Sequence, residues 1–222
     1  SSNAGMSRIG LSLESDALWE MMSDFGFGSY VTDGFPGESR GRLHHHTEWG
    51  EIGKATMSYG YGITVTPIQL AQAYSVIANN GLYTPLSLRK GLFNESKRVI
   101  NEDTAKTLLS MLEKVVEDGT SKKAAVNGYR VGGKSGTAWK TSGAGGYSTD
   151  RYRSIFAGIA PIDDPRLVAV VFIEEPTGEF YYGGDVAAPV FSEIISQSLQ
   201  LLSIPPQGFI TKQDLVADNK ND

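Results

Sequence analysis

Between Tyr129 and Glu175 the chain passes through three strand-like stretches, "YRVGGKSGTAWK", "YRSIFAGIAP" and "PRLVAVVFIEE", with no space between them for a crossover helix. The glycine-rich patch "TSGAGGYST" joins the first to the second, and a short polar connection joins the second to the third. Parallel pairing needs a connection of about a dozen residues or more, so strands linked this closely pair as an antiparallel meander. The longest apolar run, "LVAVVFI" in the third stretch, falls far short of the roughly 20 residues of a membrane helix.

Helical patterns flank the meander. "ESDALWEMMSDFG" puts Leu18, Met21, Met22 and Phe25 at one-face spacing before a stop at Gly26. In "TPIQLAQAYSVIANNG", Thr66 caps, Pro67 takes the first helical position and Gly81 closes the end. "NEDTAKTLLSMLEKVVEDG" is amphipathic with acid at its start, and "APVFSEIISQSLQLLS" offers Val190, Ile194, Ile195, Leu199 and Leu202 as an apolar face. "DGFPGESRGRLHHHTEWG" reads as a long loop, and "LYTPLSLRKG" alternates like a strand. Helices, then a sheet, then a helix make an α+β fold, a mainly antiparallel sheet flanked by helices.

With 222 residues the chain can bury a sizeable core. Its net charge of −5 is spread without an acidic or basic block, which argues against nucleic acid as a partner. The absence of cysteine removes disulfides, thiolate nucleophiles and thiolate metal sites, and decides nothing about compartment. The start at "SSNAGMSRIG", without Met or signal segment, predicts a processed or truncated product.

"GYRVGGKSGTA", residues 128–138, satisfies two incompatible patterns. From Gly128 it matches the phosphate loop G-x-x-x-x-G-K-[ST]. A phosphate loop needs a buried strand leading in and a helix leading out. Here "TSKKAAVN" is too polar for the first and "GTAWKTSGAGG" too rich in glycine for the second. "RLVAVVFIEE", with Glu174 and Glu175, imitates a metal-binding strand but is equally a buried strand whose acidic end meets solvent. From Lys134, the same letters form a K-S-G-T box of serine acyl-transfer enzymes. On an edge strand, Lys134 supplies positive potential, the hydroxyls of Ser135 and Thr137 hold a carboxylate, and Gly136 admits a substrate backbone.

"GGKSGTAWK", with "YGYGITVTPIQLAQAYSVIANNGLYTPLSL", "GFPGE", "YRSIFAGIAP" and "YYGGDVAAPVFSEI", resembles the C-terminal half of the transpeptidase domain of class B penicillin-binding proteins. The likeness is closest to FtsI-type division transpeptidases of Gram-negative bacteria. It covers residues 1–206 and leaves 207–222 as a tail. The family uses S-x-x-K, S-x-N and K-[ST]-G in chain order. Ser1-Ser2-Asn3 is the S-x-N here, and its register favours a native motif over a vector scar. The resemblance implies that Ser1 relays protons and that Asn3 hydrogen-bonds the donor peptide.

The S-x-x-K of the sequence, Ser87-Leu88-Arg89-Lys90, falls after the S-x-N, and its strand patterning sends Ser87 and Lys90 to opposite faces. Ser87 is therefore a decoy, and the nucleophile is expected upstream of residue 1, so the isolated chain is expected to be inactive. The family further implies peptidoglycan stem peptides and β-lactams as ligands, divisome proteins such as FtsW as partners, and no cofactor or metal. It places the full-length protein at the periplasmic face of the inner membrane, anchored by a segment absent here. Rival readings are a non-catalytic fragment binding divisome partners, and a D,D-carboxypeptidase or β-lactamase.

Tyr152, Tyr181 and Tyr182 read either as an apolar wall for substrate or as ordinary packing aromatics. His44, His45 and His46 cannot all face one ion and read as a solvated loop. Glu14, Asp16 and Glu20 serve a helix start. Lys140 adds potential to the cleft or is an exposed strand end, and Trp19, Trp49 and Trp139 are core or partly buried anchors.

Overall fold

The computed structural model describes residues 2–32, 34–91, 95–141 and 147–206. The chain divides into two compact units, residues 1–109 and 110–222.

The first unit contains α1 (Asn3–Ser12), α2 (Ser15–Asp24), a 3₁₀ turn at His46–Glu48, α3 (Glu51–Met57), α4 (Pro67–Ala78) and an antiparallel pair, β1 (Leu82–Tyr83) with β2 (Lys97–Arg98). α5 (Glu102–Glu117) carries the chain across the boundary. The cap of α4 forms as the sequence predicts, and it is a full capping box: the Thr66 hydroxyl accepts from the Gln69 N–H, and the Gln69 amide oxygen accepts from the Thr66 N–H. Gly81 ends the turn at φ +84°, where a Cβ would also strike the Ile100 carbonyl.

Other expectations for this unit need correction. α1 and α3 are short helices that the sequence reading did not assign. "LYTPLSLRKG" is not a continuous strand: only Leu82–Tyr83 pair in a ladder, with an isolated bridge from Leu86 to Thr32. Pro85 supplies no N–H to continue the ladder. Leu88 and Arg89 form bends and Lys90 a turn, and the Ser87 hydroxyl accepts from the Arg89 N–H at 3.1 Å. Ser87 is therefore a loop-bracing hydroxyl and not a strand residue, and the non-helical backbone here does not stack Lys90 one helical turn beyond it.

In the second unit, a 3₁₀ turn at Lys122–Ala124 leads into β3 (Gly132–Thr141), β4 (Tyr147–Ala160) and β5 (Leu167–Glu174), then α6 (Gly183–Val186) and α7 (Ala188–Leu201). The sheet order is β3-β4-β5, antiparallel throughout, as the short connections require. Register runs from Gly132↔Ile159 to Trp139↔Tyr152, with an irregularity before Thr141↔Tyr147. The core gathers Phe156, Val171, Ala187, Ala188, Phe191, Ile195 and Leu199. Phe156 and Phe191 meet at 4.8 Å between centroids.

α7 buries only part of the anticipated face: Ile195 and Leu199 point inward as expected, and Phe191 joins them in place of Val190, Ile194 and Leu202. Phe191, Ile195 and Leu199, spaced by four, are fully buried, while Val190, Ile194 and Leu202 are exposed. Apolar letters on two sides of this helix made the face ambiguous, and the ring of Phe156 selects the Phe191 side.

Candidate active site

β3 is an edge strand among the described residues, and it carries the K-S-G-T box in its middle. Strand alternation sends Lys134 and Gly136 to one face and Ser135, Thr137 and Trp139 to the other. A single ligand can meet both sets only along the strand's edge, in the manner of an added strand.

Lys134 is half-buried, and its ammonium donates to the Ser135 carbonyl at 2.6 Å. Burial pushes its pKa below the ordinary lysine value. On the opposite face, Thr137 Oγ1 accepts from the Gly183 N–H at 3.0 Å. That bond occupies a lone pair and leaves the hydroxyl proton for another acceptor. Ser154, paired with Thr137 across the ladder, donates its hydroxyl to the Tyr181 carbonyl. These two bonds fasten the segment before α6 over the strands, a role for Ser154 and Gly183 that sequence reasoning missed. The cross-strand partner of Thr137 is the signal that finds Ser154 once register is known.

The glycines of the sheet separate into two kinds. A Cβ on Gly133 would come 2.5 Å from the Phe156 ring, one on Gly158 would come 2.6 Å from the Phe191 ring, and one on Gly183 would collide with the Gly136 and Ile155 carbonyls. Internal packing explains each of these. A Cβ on Gly136 would meet only Ile155 Cβ at 3.8 Å, an ordinary contact. Packing among the described residues gives no reason for glycine at 136.

Tyr152, Tyr181 and Tyr182 come together, and Trp139 joins them. Ring centroids lie 4.7 Å apart for Trp139–Tyr152, 4.0 Å for Tyr152–Tyr181 and 4.4 Å for Tyr181–Tyr182. The rings pack on one another, as the packing alternative expects, and the outermost remain exposed, Trp139 by 40% and Tyr182 by 55%. Trp139 is therefore no core anchor.

Lys140 is spoken for. Its ammonium pairs with Glu174 at 2.6 Å and also with Glu175, and those hydrogen bonds raise its pKa. Arg153 lies 3.4 Å from Glu174, so the acidic end of β5 is a hub of ion pairs. The reading of Lys140 as extra potential for a ligand loses its support.

Asn3 begins α1, in the first unit; Ser2 caps that helix, its hydroxyl accepting from the Gly5 N–H at 3.2 Å. Ser1 and the tail 207–222 lie outside the described residues. The histidines of "LHHHTE" are packed as well as solvated: His45 lies 4.9 Å from the Trp19 ring, and His44 Nδ1 is 3.1 Å from the Glu48 carboxylate. No group of three His, Cys, Asp or Glu residues suited to a metal ion occurs among the described residues.

The family profile described as "Penicillin binding protein transpeptidase domain" matches residues 1–196. The chain is 44% identical to the probable peptidoglycan D,D-transpeptidase PbpC of Pseudomonas aeruginosa, over 100% of this chain and 39% of that protein. It is 40% identical to the peptidoglycan D,D-transpeptidase FtsI of Escherichia coli, over 95% of this chain and 36% of that one. Among solved structures, the apo TP domain of Burkholderia pseudomallei penicillin-binding protein 3 matches with TM-score 0.86 and 43% identity, over 93% of this chain and 63% of that one. The chain thus spans only part of the length of each relative.

Proposed function

Because this chain belongs to the penicillin-binding protein transpeptidase family, we propose that it forms part of a peptidoglycan D,D-transpeptidase acting at the division septum. In this reading residues 1–206 are the C-terminal part of the transpeptidase domain and 207–222 a tail. A serine hydroxyl from a segment outside these 222 residues attacks the penultimate D-Ala carbonyl of a donor peptide. Its proton leaves through the site, an ester forms and terminal D-Ala departs; an acceptor amine then takes the acyl group and frees the serine. No cofactor is required by these steps.

The observation that carries the reading is Gly136, a glycine on an edge strand without a packing reason, where an added peptide strand would run. The donor's terminal carboxylate, which a β-lactam carboxylate imitates, would accept from the Ser135 and Thr137 hydroxyls. Lys134 would supply positive potential at the nucleophile, with Ser1 relaying protons and Asn3 binding the donor amide. Tyr152, Tyr181 and Tyr182 would line the cleft. Location at the periplasmic face of a Gram-negative inner membrane, and contact with divisome proteins such as FtsW, follow from the same reading.

Fluorescent penicillin followed by denaturing electrophoresis tests it. The full-length protein is expected to carry a label that persists for hours, and the isolated chain to carry none. A labelled band on the isolated chain would overturn the assignment of the nucleophile to another segment, and rapid loss of label from the full-length protein would favour a β-lactamase.

A further inference from the structure

We infer that Ser154 is a positioning residue for carboxylate recognition, acting through the Tyr181–Gly183 backbone on the hydroxyl of Thr137; this rests on the acyl-transfer reading of β3. Thr137 and Ser154 are paired in the β3–β4 ladder, and residues so paired project from the same face. The segment entering α6 is bonded to both. Ser154, fully buried, donates its hydroxyl to the Tyr181 carbonyl, and two residues later the Gly183 N–H donates to Thr137 Oγ1 at 3.0 Å. Gly183 opens α6, and the first N–H of a helix has no partner within it. Thr137 supplies that partner.

A hydroxyl has one proton and two lone pairs. With the Gly183 N–H on one lone pair, the Thr137 proton is turned away from α6 and kept for an acceptor on the strand, which in this reading is the ligand carboxylate. Losing that N–H would let the hydroxyl spin. Packing seats the segment without aiming the N–H: a Cβ on Gly183 would come 2.3 Å from the Ile155 carbonyl and 2.4 Å from that of Gly136, and one on Gly184 2.3 Å from that of Thr120. The backbone therefore lies directly on its neighbours, with no side chain between. A second tether, the Lys123–Asp185 pair at 2.8 Å, joins partly exposed side chains and contributes little. The buried bond from Ser154 is what fixes the segment where it crosses Thr137.

The test measures acylation of the full-length protein by a penicillin and by its methyl ester. Ser154→Ala removes the donor to the Tyr181 carbonyl and is expected to lower the acid-to-ester rate ratio about two- to tenfold, with the ester within about twofold of its parent rate. Ser154→Cys keeps the size with a weaker donor; it should lower the ratio about twofold, and it decides the matter where the alanine variant does not fold. In a Thr137→Val background the same substitutions should leave the ratio nearly unchanged, because the group they act through is gone. An unchanged ratio in the Thr137 protein, an equal fall for acid and ester, or the same fall with and without Thr137 overturns the inference while leaving acyl transfer intact. Failure of the unsubstituted protein to react with either compound overturns both.

Discussion

In the unit that begins at Ser110 the largest fully buried side chains are Phe156, Phe191, Ile159, Ile195 and Leu199, whereas in the unit that ends at Leu109 Gln69 and Gln72 stand beside Val31 and Val76. One unit is held by interdigitating apolar side chains beneath a sheet. The other, built of short helices and loops, is pinned by polar groups. Gln69 is such a pin: its amide donates to the carbonyls of Gly26, Ser29 and Arg40 at 3.3, 2.9 and 2.8 Å. Glu38 is another, accepting from the Val31 N–H at 2.8 Å, the Thr32 N–H at 3.3 Å and the Thr32 hydroxyl. Loops carry backbone groups that no ladder satisfies, so a region rich in them is stabilised by side chains that replace the ladder.

The sharpest way to break this contrast is Phe191→Ala. Emptying the space against Phe156 is expected to cost about 3–5 kcal/mol, read by urea denaturation with Trp139 as the tryptophan of that unit after Trp19→Phe and Trp49→Phe. A loss under about 1 kcal/mol would mean the aromatic pair is not the centre of the core. Gln69→Leu keeps the volume but removes the amide that donates to three carbonyls, of which Gly26 keeps a second donor in the Ser29 N–H. We expect a loss of about 2–3 kcal/mol, followed by Trp19 and Trp49 fluorescence, and the polar-pin account fails if the variant matches the parent.

Glu38→Gln sharpens the contrast through pH. Burial alone would raise the Glu38 pKa, but the bonds from the Thr32 hydroxyl and the Val31 and Thr32 N–H groups together outweigh it and bring the pKa below 4.5. A lowered carboxylate stabilises the fold above the unfolded value, and that stabilisation disappears as pH falls through the folded value. The variant should be less stable by about 1–2 kcal/mol at neutral pH, and the two proteins should converge at acid pH. A gap that stays constant with pH would exclude the carboxylate as its cause.

The smallest expected change has the opposite sign. Lys134 holds its charge against burial, so its folded pKa lies below the ordinary 10.5. Between the two values the unfolded chain binds more protons, and stability rises with pH across that window. Lys134→Met should therefore raise Tm at neutral pH, by no more than about 3 °C, and the gap should narrow as pH climbs toward 10.5. Lower stability in the variant would mean that the bond to the Ser135 carbonyl outweighs the cost of burial.

The contrast also explains what the sequence made legible. The meander from β3 to β5 was readable because connection length alone dictates antiparallel pairing, and the helix at Pro67 because Thr66 and Pro67 are local signals. The polar pins were not: Gln69 reaches carbonyls up to 43 residues away, a span no local pattern encodes. The buried face of α7 was legible only at Ile195 and Leu199 for the same reason, since the choice between Phe191 and Val190 depends on Phe156 in another element. At the candidate site, the residue types of the K-S-G-T box were plain, but their division between two faces and the place of Trp139 in the aromatic ladder needed the register.

The central claim is that the edge of β3 recognises a carboxylate presented by an extended ligand. Its most direct measurement is the acylation rate of the full-length protein by a penicillin and by its methyl ester, before and after Ser135→Ala with Thr137→Val. Hydrogen bonds to a charged group contribute about 1.5–3 kcal/mol each, so the double variant should slow the free acid on the order of 100-fold or more and bring it to the rate of the ester, itself little changed. Equal slowing of acid and ester, or none of either, would contradict the account.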